Sequence, residues 1–116
     1  MISGIGIDII EIDRVKSAVK KYGKNFLRRI FTERELKYCS NRKVYKFPEM
    51  AARFAAKEAY SKAIGTGIVG IKFMEIEVVN NKNGKPHIAV RGKMRSNIHV
   101  SLSHSQNYAV ASVVVE

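Results

Sequence analysis

One cysteine, two prolines and no tryptophan in 116 residues leave few of the usual handles on function. A single thiol, Cys39, cannot close an internal disulfide, so nothing asks for an oxidising compartment and the cytoplasm is the expected location. Cys39 has no recognisable partner and reads as a small apolar residue rather than a nucleophile. No stretch approaches the roughly 20 consecutive apolar residues of a membrane helix. The apolar start lacks a basic leader and already carries Asp8, Glu11 and Asp13, which argues against a signal peptide. Histidine is sparse as well, and His87, His99 and His104 show no metal spacing, so zinc is not expected. Acidic residues number 10 against 21 Lys and Arg, giving a net charge of +11. Such a field attracts polyanions. Nucleic acid, an anionic membrane, a phosphate-rich small molecule and an acidic protein satisfy it equally.

Residues 1–116 have the size of one domain with a modest core. The isoleucine-rich start, Met1 to Ile10, reads as a strand on which Asp8 shares a face with Gly4 and Gly6 while Ile5, Ile7 and Ile9 point the other way. The two glycines leave room for something to approach. Asp13 is placed to cap a helix through Lys21, with Val15, Ala18, Val19 and Tyr22 inside. Phe26 to Ile30 forms a short helical piece, and Thr32-Glu33-Arg34-Glu35 is a capping box opening a helix to about Ser40. A basic connection, Asn41 to Phe47, precedes a long helix that starts at Pro48 and is closed by Gly65. Strands follow at Ile71 to Val79 and His87 to Val90, joined by an Asn83-Gly84 turn. A short helix is expected at Gly92 to Asn97, then a final strand pair, Ile98 to His104 and Tyr108 to Val115. The order implies an α+β fold, a small mixed sheet packed by helices on one face.

Chemistry concentrates in a few places. Glu58 and Lys62 lie i, i+4 on one helix face, just before Gly65-Thr66-Gly67, a possible backbone nest for phosphate. Asp8 and Glu58 would suffice for Mg²⁺, which takes one or two carboxylates and completes its shell with phosphates and water. The competing reading has Asp8 capping a turn and Glu58 paired to Lys62 in solvent. His104, in phase with Ile98, Val100 and Leu102, is expected to face the core. The basic helix from Arg14 to Lys24 is either a solvated face or a docking surface for something acidic. No P-loop, dinucleotide fingerprint or nucleophile elbow occurs.

Gly4-Ile5-Gly6-Ile7-Asp8-Ile9-Ile10-Glu11-Ile12, Phe31-Thr32-Glu33-Arg34-Glu35-Leu36, Arg53-Phe54-Ala55-Ala56-Lys57-Glu58-Ala59 with Lys62 and Gly65-Thr66-Gly67, Asn83-Gly84-Lys85-Pro86, and Ser101-Leu102-Ser103-His104-Ser105 follow one another along nearly the whole chain. In this order the set resembles the small phosphopantetheinyl transferases, the holo-[acyl-carrier-protein] synthase family. The resemblance implies transfer of the phosphopantetheine arm of coenzyme A to a serine of apo-acyl carrier protein. It implies Asp8 and Glu58 as Mg²⁺ ligands, with Asp8, Glu58 and Lys62 catalytic and Lys62 on the pyrophosphate. Gly65, Thr66 and Gly67 would line the coenzyme site, and Arg53, Pro86 and His104 its nucleotide end. Arg14, Lys20, Lys21 and Lys24 would dock the acidic carrier protein. It also implies a homotrimer with sites between adjacent subunits, and neither nucleic acid nor membrane as partner. Larger relatives place a second acid two residues after the first; here that position is Ile10, so water is expected in its stead. The rival of another class is a small basic nucleic-acid-binding module without catalysis.

Overall fold

A computed structural model describes residues 1–42, 44–65 and 71–116. Strand β1 (Gly4–Glu11) leads into helices α1 (Ile12–Tyr22), α2 (Lys24–Ile30) and α3 (Glu33–Tyr38). A small hairpin, β2 (Ser40–Asn41) and β3 (Val44–Tyr45), precedes the long helix α4 (Phe47–Ile64). A 3₁₀ turn at Phe73–Glu75 is followed by β4 (Ile76–Asn80), β5 (Pro86–Val90), β6 (Lys93–Met94), β7 (Ile98–His104) and β8 (Tyr108–Val115). The larger sheets are ordered β1-β8-β7 and β4-β5-β6. The α+β class is as expected, but where a mixed sheet was anticipated every ladder among the described residues is antiparallel.

Helix α4 is the axis of the fold, and its small residues explain why. Ala51, Ala52, Ala55, Ala56, Ala59 and Ala63 are all buried, and with so little side chain between them a strand can lie almost on the helix backbone. The glycines of β1 complete that approach. A Cβ on Gly4 would stand 2.0 Å from the Ala63 carbonyl oxygen, and one on Gly6 would stand 1.9 Å from that of Ala59. The space opened by the two glycines is therefore filled by α4. One core cluster joins α4 to the sheets through Tyr60, Ile76, Ile88, Ile98 and Val113. The other seats α1 to α3 against its first half through Val15, Leu27, Phe31, Cys39 and Met50.

Several local expectations change. Helix α1 begins at Ile12 with Glu11 at the cap position and no side-chain cap bond, so Asp13 does not cap but sits in the first turn, where its charge suits the positive helix end. The Thr32 capping box forms as expected, Glu35 N to the Thr32 hydroxyl and Thr32 N to the Glu35 carboxylate. The strand expected from Ile71 starts only at Ile76, because the Glu75 carboxylate accepts the Lys72 amide and turns the preceding residues into 3₁₀ geometry. Gly92 to Asn97 is not a helix. Lys93–Met94 pairs with β5 instead, after Arg91 and Gly92 reverse the chain with φ of 51° and 80°.

Candidate active site

The period-two face of β1 that carries Gly4 and Gly6 carries Asp8 next. As the strand advances along α4, the partner positions run from Ala63 to Ala59, and one step further Asp8 reaches the helix near Glu58. The two carboxylates line one cleft of about 260 Å³, together with Ile10, Arg14, Phe26 and Phe54. Their charges act on each other. Burial first, then the Asp8 carboxylate, push the Glu58 carboxyl above its ordinary range, and Lys62 opposes the shift. Lys62 does not pair with Glu58: its Nζ donates to Asp8 Oδ1 at 3.1 Å and to the Ile7 carbonyl at 3.0 Å. Asp8 therefore bonds a lysine and does not cap a turn.

Among the described residues no group of three or more His, Cys, Asp or Glu side chains is disposed to hold a metal. Asp8 and Glu58 form a pair of hard oxygen donors whose mutual repulsion is only partly cancelled. That suits an ion such as Mg²⁺, which needs few protein ligands when a phosphate supplies others. Ile10 occupies the wall where a third acid would stand, and it is half-buried.

A second cleft, about 450 Å³, lies toward the opposite edge of the sheet, along β7 and the β4–β5 turn. Arg53, Pro86 and His104 all line it, with Tyr38, Asn80 and Lys85. Arg53 is 1% exposed. Its guanidinium donates to the Glu49 carbonyl and carboxylate and to Asn80 Oδ1, and lies 4.2 Å above the Tyr38 ring. Its Nε is buried without a partner. His104 does not face the core; it is exposed at the end of β7, with Nε2 3.5 Å from the Glu49 carboxylate. The strand parity is as read, but at this end of β7 the side chain meets the first turn of α4 across an open cleft, not a packed core. Gly65 closes α4 in the left-handed conformation, φ 75°. Thr66 and Gly67 lie outside the described residues. Arg14, Lys20, Lys21 and Lys24 are all exposed, along α1 and the start of α2.

Sequence reasoning missed the buried ionic node next to this site. Lys57, 0% exposed, donates to Glu35 Oε1 at 2.6 Å and to the carbonyls of Ile30 and Phe73. Glu35 also accepts the amides of Thr32 and Val78. Its one sequence signal was the capping box, which fixed Glu35 but said nothing of Lys57.

Paired carboxylates beside a lysine, on a positively charged α+β chain, suit an enzyme that handles phosphate anions. The comparisons with known proteins agree. The 4'-phosphopantetheinyl transferase superfamily matches residues 4–113, and the chain belongs to that family. Curated relatives called holo-[acyl-carrier-protein] synthase include one from Oceanobacillus iheyensis, 47% identical over 100% of this chain and 98% of its own. Another, from Chloroherpeton thalassium, is 46% identical over 97% of this chain and 96% of its own. Among solved structures, a Bacillus anthracis holo-(acyl-carrier-protein) synthase in complex with CoA (3',5'-ADP) superposes with a TM-score of 0.83 at 43% identity, covering 100% of this chain and 97% of that one. The Helicobacter pylori enzyme in complex with coenzyme A has a TM-score of 0.83 at 31% identity, covering 97% of this chain and 99% of that one.

Proposed function

We infer that the chain transfers the 4'-phosphopantetheine moiety of coenzyme A to a serine of apo-acyl carrier protein, leaving adenosine 3',5'-bisphosphate. The observation that carries this reading is the meeting of Asp8, Glu58 and Lys62 at one place in a chain of this family. The family match also speaks against the basic nucleic-acid module, whose phosphate contacts would spread over many Lys and Arg.

In the reaction a bond forms between the serine oxygen and the pantetheine-side phosphorus, the bridging P–O bond breaks, and the hydroxyl proton is removed. The charge that grows on the leaving phosphate must be met by fixed positive groups. Mg²⁺ held by Asp8 and Glu58, with pyrophosphate and water completing its shell, would supply most of that charge. Lys62 adds a further positive group at the pyrophosphate. Arg53, buried and held by Glu49 and Asn80, offers a rigid cationic wall for the nucleotide end, beside Pro86 and His104. The exposed cations Arg14, Lys20, Lys21 and Lys24 provide a basic face next to the carboxylate cleft for an acidic carrier, and Arg14 lines that cleft itself.

The places of the two clefts support an assembly with sites between subunits. The Asp8–Glu58 cleft is at the β1 edge of the sheet and the Arg53–Pro86–His104 cleft at the β7 edge, with β8 between them. One coenzyme spans both kinds of residue most simply when the β1 edge of one subunit adjoins the β7 edge of the next. The other face of β1 presents Ile5, Ile7 and Ile9, 69%, 63% and 63% exposed, an apolar row suited to burial between subunits. A homotrimer closes such head-to-tail contacts.

The test is the mass of an acyl carrier protein incubated with coenzyme A, Mg²⁺ and the enzyme. The wild type adds one phosphopantetheine, and Glu58→Ala adds none while keeping its thermal transition. An unchanged carrier mass with the wild type removes the assignment.

A further inference from the structure

The place beside Asp8 that a divalent ion would take already has a cation next to it. Lys62 reaches across from α4 to β1, and its ammonium is fixed by two oxygens of the same strand, Asp8 Oδ1 and the Ile7 carbonyl. The lysine is 54% exposed, whereas the Asp8 side chain is 17% exposed. The contact is therefore a long flexible donor resting on a fixed acceptor, one turn beyond Glu58 on the same helix. Among the described residues the ammonium is held by these two bonds, and a surface pair of this kind is weak.

Resting on the reading of Asp8 and Glu58 as the metal pair, we propose that Lys62 is a resident counter-ion of the free site. It competes with the divalent ion for Asp8 and is released to the pyrophosphate when the ion arrives. A unit positive charge a few ångströms from a divalent ion repels it appreciably even in water, so the free enzyme binds metal less tightly than its two carboxylates alone would. Coenzyme A removes that competition by giving the ammonium another anion. The same residue that helps neutralise the pyrophosphate thus keeps the empty site from holding metal firmly before the substrate is present.

The experiment is binding of Mn²⁺ to the full chain without coenzyme A, read by electron paramagnetic resonance of the free ion at low salt. Lys62→Met keeps the stem and removes the charge, and it should bind Mn²⁺ roughly tenfold more tightly than the wild type. Lys62→Arg keeps the charge and should stay within about twofold of it. Arg14→Met removes a charge that lines the same cleft, and it should change the affinity by less than Lys62→Met does. Equal affinities of wild type and Lys62→Met, or an equal gain from Arg14→Met, would overturn the proposal while leaving the transferase reading intact. Failure of every form to bind Mn²⁺, with coenzyme A present as well as absent, would overturn the metal reading and this proposal with it.

Discussion

Helix α4 carries two lysines five positions apart that meet opposite environments. Lys57 is wholly enclosed, its ammonium shared among Glu35, the Ile30 carbonyl and the Phe73 carbonyl. Lys62 is more than half exposed and leans on Asp8 across the β1 edge. Burial pulls the Lys57 ammonium below its ordinary range, and the Glu35 carboxylate opposes that. Enclosure demands that every donor and acceptor be matched, and in this node the ammonium has three acceptors and the carboxylate three donors. The exposed lysine has the reverse freedom: its pairing contributes little to the fold, so it can leave Asp8 at small cost. One helix thus provides a fixed joint on its inner face and a movable cation on its outer one.

The contrast is broken most severely at the fixed joint. Lys57→Met leaves Glu35 as a buried carboxylate without its counter-ion and frees two carbonyls. Breaking such a pair from one side should cost about 3–5 kcal/mol, read as a fall in the urea midpoint. Lys62→Met should move that midpoint by at most about 1 kcal/mol. If the two substitutions cost the same, the distinction between joint and movable cation is wrong.

Gly6→Ala attacks the register that brings the two faces to the site. Its Cβ would stand 1.9 Å from the Ala59 carbonyl oxygen, a clash with backbone that no rotamer relieves. Parting β1 from α4 should cost about 1–3 kcal/mol. It should also lower transfer activity beyond what the remaining folded fraction accounts for, because Asp8 moves away from Glu58. Activity that merely tracks the folded fraction would show that the β1–α4 spacing does not set the carboxylate pair.

Much of this was legible from residues alone because the signals were local. The capping box at Thr32, Pro48 at the start of α4, Gly65 at its end and the Asn-Gly turn each act within a few positions, and each element begins or ends close to where they place it. What was not legible depends on contacts distant in sequence. Lys57 lies one position before Glu58, yet only the arrival of Glu35, Ile30 and Phe73 from three other segments makes it a buried node. His104 follows the strand alternation correctly, but that a cleft opens between its end of β7 and the first turn of α4 is a tertiary fact. The expected helix at Gly92 failed for a related reason: β5 offers an open edge, and two residues can pair there after a left-handed turn. Residue type made Asp8 and Glu58 candidates for one site, but the resemblance decided for it over the reading as a turn cap and a surface pair, since spacing cannot relate residues separated by three helices.

The smallest expected effect bears on the outer face, where the site holds like charges together. The Glu58 carboxyl titrates above its ordinary value because burial and Asp8 disfavour its ionised form. A carboxyl whose folded pKa is raised takes up its proton in the folded state before the unfolded chain does. Its ionisation is therefore a cost to folding, fully present at pH values above the folded pKa, shrinking as pH falls through it and gone below the unfolded value. Glu58→Gln removes that cost. It should stabilise the metal-free protein by ~0.5 kcal/mol at pH 8, the figure kept small because solvent reaches this carboxyl, and the gain should vanish near pH 4. Transfer should be lost at both pH values. Thermal melts across that range with chelator present decide the matter. A gain that is independent of pH, or a loss at pH 8, would mean that Asp8 and Glu58 do not strain each other. The site would then lack the uncompensated negative charge that draws both a divalent ion and the ammonium of Lys62.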